Sequence, residues 1–411
     1  MELSSYALII IASLAIIVSY FFNILSKKTN IPSVVMLILL GILLNESISF
    51  FNLKPIDWFP ILEILGIVGL IMIVLEASLD LKLSKEKIPL IVKSFLLALF
   101  SIGINIFLIA KVFQVFYDIS IFRALLYATP LSIISSAIII PSVSNLSDEF
   151  KEFMIYESTF SDILGIMAFY FILGSVHQPS QQAIHLAIGT NILITIVSSV
   201  VISYGLIFLF QRIRSEIKLF LLIATLILFY ALGKMFHLSS LIIILVFGLI
   251  LENKDFFLRP FIKHIDNEAI EKITKNLKII TFETSFVIRT FFFIIFGITI
   301  SFAGIFNLKV WLISFLALVI IYGSRYGLLA LISRHHLQTK LLLAPRGLIS
   351  ILLFYAIPKE YQIEEFNHGT LLLVIFTSAI LMTIALIKHK HKTEDSVPTE
   401  NETTELIDES S

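Results

Sequence analysis

Thirteen separate stretches of this chain are apolar over roughly the twenty residues a helix needs to cross a bilayer, and few residues lie between them. The first is Ser5–Leu25 and the last Gly369–Ile387; the eighth and ninth, Ile217–Leu232 and Leu238–Leu251, are short. A backbone in hydrocarbon must satisfy its own amides and carbonyls, so a chain built this way folds as packed helices. The predicted fold class is an all-α polytopic membrane protein with about 13 transmembrane helices. Composition agrees. Hydrophobic residues are 58% of the chain and charged residues only 15%, against about 25% charged in soluble domains. The first stretch is longer than a signal-peptide core and has no small-residue cleavage pattern, so it reads as a retained span.

Lys and Arg, 30 in all, divide unevenly between the two sides. The connections after spans 1, 3, 5, 7, 9 and 11, with the C-terminus, hold 20 of them; the N-terminus and the other connections hold 6. Cytoplasmic connections carry such an excess. The N-terminus is therefore predicted outside and the C-terminus in the cytoplasm, which requires an odd number of spans. Residues 253–280 carry six basic side chains and predict a cytoplasmic amphipathic linker on the membrane surface. Residues 389–411 begin basic, turn acidic and predict a disordered cytoplasmic tail. A net charge of zero leaves no basic excess for nucleic acid. The chain has no cysteine, which removes disulfides, thiolate metal sites and cysteine nucleophiles. Neither GxGxxG nor GxxxxGKS/T follows a strand-like run, so no nucleotide engine or cofactor is expected in the chain.

A charge inside an apolar span costs about 2.5–3.5 kcal/mol on insertion scales, so each needs a reason. Glu157, Asp162, Arg325 and Arg346 are the best-placed ones. Glu157 and Asp162 stand five residues apart, about 140° round a helix and about 7.5 Å along it. One can serve a lumen while the other points at a neighbouring helix. Asp162 has Ser158 and Ser161 beside it. A carboxylate with hydroxyls, carbonyls and water suits a monovalent cation, and the same carboxylate can take a proton instead. Competition between the two couples their fluxes. Arg325 keeps its charge and must be paired, with Glu157 the preferred partner.

Two spans carry breakers near their middles. The fifth reads Ala128–Thr129–Pro130–Leu131–Ser132 and continues through Ser135–Ser136–Ala137; the twelfth reads Ala344–Pro345–Arg346–Gly347. Proline removes a donor and disfavours helix before it. Backbone freed at membrane depth is tolerated where it faces protein or a watery cavity. Spans 4–6 and 11–13 are triplets of opposite orientation, and each interrupted span is its triplet's middle member. Matched interruptions in inverted repeats point to an ion site at the midplane of a secondary transporter. Arg346 then stands where it offsets the negative ends of the half-helices.

These residues resemble the monovalent cation/proton antiporter superfamily, in particular its NhaP-like sodium/proton exchanger branch. That branch has a Glu-Ser-x-x-Asn-Asp motif, here Glu157–Ser158–Thr159–Phe160–Ser161–Asp162. Arg325–Tyr326–Gly327 and Arg346–Gly347–Leu348–Ile349 match its two arginine helices, and Arg289–Thr290–Phe291–Phe292–Phe293 with Gly297 its Phe-rich helix. The similarity runs to about residue 388. It implies a transmembrane antiporter domain over residues 1–388, usually a homodimer, and no enzyme chemistry. It also implies a mobile core (about 89–175 and 309–388) and a dimerisation panel (about 1–88 and 184–303). By the resemblance Asp162 is the cation and proton site, Ser158 a ligand, and Glu157 and Arg325 a pair beside it.

Three departures stand out. Ser161 replaces the motif's Asn, the Thr-Asp-Pro of the fifth helix is Ala128–Thr129–Pro130, and Pro130 lies farther from Glu157 than in that branch. Ser135–Ser136 is closer to the crossover of the potassium-efflux branch, so either stretch of the fifth helix could unwind. The expected function is Na⁺ or K⁺ exchange for H⁺, electroneutral because one acid serves the site. A potassium-efflux channel or a non-transporting ion sensor are the alternatives. The expected location is a bacterial cytoplasmic membrane. Glu63, Glu76, Asp80, Glu283 and the histidines at 177, 185, 237, 335 and 336 are weaker candidates.

Overall fold

The computed structural model of the protein describes residues 5–29, 31–50, 58–143, 146–174, 181–213, 218–235, 240–257, 267–299, 307–333 and 337–394. All described secondary structure is helical, in sixteen α-helices and short 3₁₀ turns. In order they are α1 (Ser5–Thr29), α2 (Ser33–Phe50), α3 (Phe59–Asp80), α4 (Ile88–Tyr117), α5 (Ile121–Ser132) and α6 (Ser136–Ser142). Then come α7 (Asp148–Gly174), α8 (Gln181–Arg212), α9 (Lys218–Met235), α10 (Ser240–Glu252) and α11 (Lys254–Phe257). The last five are α12 (Asn267–Thr299), α13 (Leu308–Ile332), α14 (Leu337–Leu342), α15 (Leu348–Tyr355) and α16 (Gly369–Glu394).

Each of the thirteen apolar stretches carries helix, the fifth as α5–α6 and the twelfth as α14–α15. Eight of the described helices are long and apolar enough to cross a membrane, and four further apolar helices are shorter. Local chemistry sets several ends. Pro60 and Pro89 open α3 and α4, where a missing amide costs nothing. Asn307 caps α13 by accepting from the Lys309 amide at 2.9 Å. Asp118 closes α4 in the left-handed region, φ 48°, with its amide on Gln114 O.

Packing falls into two groups. In one, α12 lies against α2 and α3, and α10 against α3, α8 and α9. Gly41 and Gly297 let α2 and α12 touch through their backbones: a Cβ added at either would stand 2.9–3.0 Å from the other's Cα. In the second group α4 packs on α5, α7 and α13, and α16 on α13 and α14. Contacts between the groups are sparser and run mainly through α15 on α3 and through α7 on α3, α8 and α10.

Two boundaries differ from the sequence reading. The stretch 253–280 does not lie apart as a surface linker, because its residues from 267 on are the first turns of α12. Ile270, Ile273 and Leu277 recur at helical spacing and are buried, which holds that end against the bundle. Residues 389–394, expected in the disordered tail, continue α16, and the His389 ring stacks on Phe150 with centroids 5.8 Å apart. Residues 258–266 of the expected linker and 395–411 of the tail lie outside the described residues.

Candidate ion site at the crossing of two interrupted helices

The fifth span breaks at Ile133–Ser135, three residues beyond Pro130, which stays inside α5. Ile133 (φ −86°, ψ 131°) and Ser135 (φ −83°, ψ 113°) are extended. The break releases three successive amides from the helix, and each finds a different partner. Ile134 N donates to Ser161 Oγ at 2.9 Å, Ser135 N to Pro345 O at 2.9 Å, and Ser136 N to Asp162 Oδ2 at 3.1 Å. Thr129 and Ser132 return their hydroxyls to carbonyls four residues back, at 2.8 Å each. The twelfth span leaves the helix over residues 343–347. The Ser135–Pro345 bond ties the two breaks together. A Cβ at Gly347 would lie 2.6 Å from Ser135 Oγ, so only glycine permits this approach.

Charges at the crossing are met in two ways. Arg325 lies against both carboxylate oxygens of Glu157, with Nη2 2.9 Å from Oε2, and also donates to Lys340 O from Nε (3.0 Å) and Nη2 (2.8 Å). Both side chains are buried. Glu157, named from the sequence as the preferred partner of Arg325, stands against it with no oxygen left open. Arg346 has no carboxylate partner among the described residues. Its Nε donates to Leu131 O at 3.0 Å and its guanidinium to Ala344 O, while its amide donates to Ser378 Oγ at 3.0 Å. Leu131 O belongs to the last turn of α5, where unpaired carbonyls concentrate negative charge.

Asp162 is 2% exposed, and it makes no ion pair among the described residues. Its Oδ1 has no hydrogen-bonding partner there, and neither do Ser135 Oγ and Thr159 Oγ1, both also buried. Ser158 Oγ donates to Ile155 O at 3.2 Å, and Ser161 Oγ is the acceptor for Ile134. Buried polar atoms left bare in a folded protein call for a water or an ion. Here Ser135 sits on a crossing segment, and Asp162 and Thr159 on α7, which packs against it.

The structure thus brings Glu157, Ser161, Asp162, Arg325, Arg346, Ser135 and Ser136 to one crossing, with Ser158 on the same helix. It leaves Thr129 and Pro130 inside α5. Reading the sequence missed Thr159, flanked by the two motif acids, and Ser378, whose place beside Arg346 has no sequence signal. Away from the crossing, Glu76 pairs with Arg289 (3.4 Å), and Lys278 with Asp80 (3.6 Å) and Glu252 (3.2 Å). Glu76, Asp80, Lys278 and Glu283 line a cavity of about 340 Å³. The side chains of Glu63 and of the histidines at 177, 185, 237, 335 and 336 lie outside the described residues.

Residues 9–388 match the model of a family described as "Sodium/hydrogen exchanger, transmembrane". No curated protein sequence matches. Two solved structures of the sodium proton antiporter MjNhaP1 from Methanocaldococcus jannaschii share the fold. One, at pH 8, has a TM-score of 0.71 at 20% identity and covers 92% of this chain and 98% of that one. The other, an electron-microscopy map, has a TM-score of 0.65 at 20% identity and covers 94% and 98%.

Proposed function

Because the chain belongs to the sodium/hydrogen exchanger family, we propose that it is a secondary-active antiporter exchanging a monovalent cation, Na⁺ or K⁺, for H⁺, with Asp162 binding each in turn. The family is one of transporters rather than enzymes, and the protein is an integral membrane protein. The observation that carries the reading is Asp162 Oδ1: a buried carboxylate oxygen without a partner, where two broken helices meet. An anion sealed from water without a counter-charge is unfavourable, so it binds a cation or takes a proton. The other acid of the motif is already neutralised by Arg325. One charge at the site then alternates between one cation and one proton, which makes the exchange electroneutral and one-for-one.

Alternating access follows if the α4–α7 and α13–α16 group, the core, moves against the α1–α3 and α8–α12 group, the panel. This reading assigns the chain to a bacterial cytoplasmic membrane as a homodimer, N-terminus outside and C-terminus inside, an orientation that the lysine and arginine bias supports. A potassium-efflux pathway is the second reading, favoured by the break at Ile133–Ser135, which leads into Ser135–Ser136, instead of at Pro130.

The test is proton movement in proteoliposomes on adding Na⁺, Li⁺ or K⁺ separately, with Asp162→Asn beside wild type. Wild type alone is expected to collapse a preset pH gradient with one of these cations. Silence of wild type with every cation from pH 6 to 9 defeats the antiport reading. Cation current that needs no proton gradient favours the efflux pathway.

A further inference from the structure

Thr159 lies three residues before Asp162, is fully buried, and has no hydrogen-bonding partner for its hydroxyl among the described residues. A helical threonine ordinarily donates to the carbonyl four residues back, as Thr129, Thr225, Thr274 and Thr290 do in this chain. For Thr159 that carbonyl is Ile155 O, and Ser158 Oγ already donates to it at 3.2 Å. Ser158 thus has its proton satisfied, while Thr159 is left with its hydroxyl unspent.

The position of Thr159 on α7 shows what that hydroxyl faces. With about 100° per residue, Ser161 and Gly165 fall about 100° and about 60° to one side of Asp162. They meet Ile134 and Ile133 of the break. Ser158 lies on that same side, about 40° round, within the arc the break covers. Thr159 lies about 60° to the other side, and Tyr156 about 60° beyond it. The Tyr156 hydroxyl donates to Lys82 O at 2.7 Å, just past α3 in the panel. Thr159 is therefore on the flank of Asp162 turned away from the break and toward the panel.

We propose that the Thr159 hydroxyl is a side-chain ligand that joins Asp162 around the transported monovalent cation and sets which cation is preferred. The proposal rests on the antiport reading above. A neutral hydroxyl lends a cation an oxygen without adding charge, so its loss weakens cation binding and leaves the proton step on Asp162.

The experiment titrates Na⁺ and K⁺ against proteoliposomes of the full chain carrying wild type, Thr159→Val, Thr159→Ser or Ser158→Ala. Thr159→Val keeps the branched shape and removes the hydroxyl. It is expected to raise KM for the preferred cation about tenfold and to change the Na⁺/K⁺ ratio, with Vmax within about twofold of wild type. Thr159→Ser keeps the hydroxyl and is expected to stay near wild type, and Ser158→Ala reads whether Ser158 shares the cation. Cation-dependent thermal stabilisation of the purified proteins reads the same affinity without turnover, and there Thr159→Val is expected to need about tenfold more cation. Wild-type KM and cation ratio in Thr159→Val overturn the proposal. A wild type that responds to no cation fails earlier and takes the antiport reading with it.

Discussion

Arg325 and Arg346 are both sealed from solvent, yet they are satisfied in opposite ways. Arg325 takes a carboxylate and a backbone carbonyl, whereas Arg346 takes carbonyls alone. Removing one partner of a buried ion pair costs about 3–5 kcal/mol, because the survivor is a bare charge. Glu157 is thus held by Arg325, and Asp162 is left without a counter-charge among the described residues. Charges inside apolar spans are loud in a sequence, so all four of these residues could be named from it. Thr159 could not, because a threonine in a span ordinarily bonds its own helix, and only the structure shows Ser158 holding that acceptor. His368, between α15 and α16, belongs to another kind of residue, one whose surroundings matter more than its partners. Its ring packs on Phe354, Tyr355 and Phe366 at 5.3, 6.2 and 6.4 Å, and this partial burial lowers its pKa from the usual 6.5. The folded state then binds fewer protons than the unfolded one between that lowered value and about 6.5. The contribution is complete above pH 6.5 and is lost as pH falls through the window. Thermal unfolding of the purified protein from pH 7.5 to 5 is expected to show a shallower acid-side loss in His368→Phe than in wild type. Parallel slopes count against it.

At the scale of elements, both interruptions were legible, and so was the place of the one in the twelfth span; the place of the one in the fifth was not. Pro130 advertises a weak point in the fifth span, yet the helix runs through it and opens at Ile133. Proline removes one donor; where a helix opens depends on which acceptors stand ready for the amides that are freed. Those acceptors are Ser161, Pro345 and Asp162, from two other segments of the chain, and no local pattern encodes them. The same reasoning explains α12, whose early turns looked like a surface linker until their apolar stripe found the bundle. Gly347 tests how tightly the crossing is specified. A Cβ there would lie 2.8 Å from Ser135 Cβ as well as 2.6 Å from its Oγ, so the segments must part to admit it. Gly347→Ala is expected to cut cation-driven proton movement at least about tenfold, since a site displaced by a fraction of an ångström loses its geometry. Ser135→Ala should not restore it, because its Cβ remains. Ser135→Gly in the same chain should restore part of the rate. Full activity in Gly347→Ala would show that the crossing is looser than the structure has it.

At the scale of the molecule, the distribution of contacts bears on movement. The panel is stitched by close backbone approach at Gly41 and Gly297 and by a hydroxyl pair, Ser19 Oγ to Thr290 Oγ1 at 2.6 Å between α1 and α12. The core is stitched by the crossing itself. Between them α15 leans on α3, where a Cβ at Gly66 would stand 3.3 Å from Leu352 Cδ2. This is an apolar contact without a hydrogen bond to lose. If core and panel slide during exchange, this contact must open, whereas the Ser19–Thr290 contact need not. The chain has no cysteine, so paired thiols can be introduced without altering its background. A Gly66→Cys/Leu352→Cys pair puts a thiol on each side of this contact for oxidative cross-linking. Oxidation is expected to lower cation-driven proton movement to below about a tenth of the reduced protein's rate, and reductant to restore it. A Ser19→Cys/Thr290→Cys pair joins two helices of one group, so it is expected to cross-link with little loss of rate. If the first pair cross-links completely and exchange continues, α3 and α15 travel together, and the boundary between moving and fixed parts must lie elsewhere in the bundle.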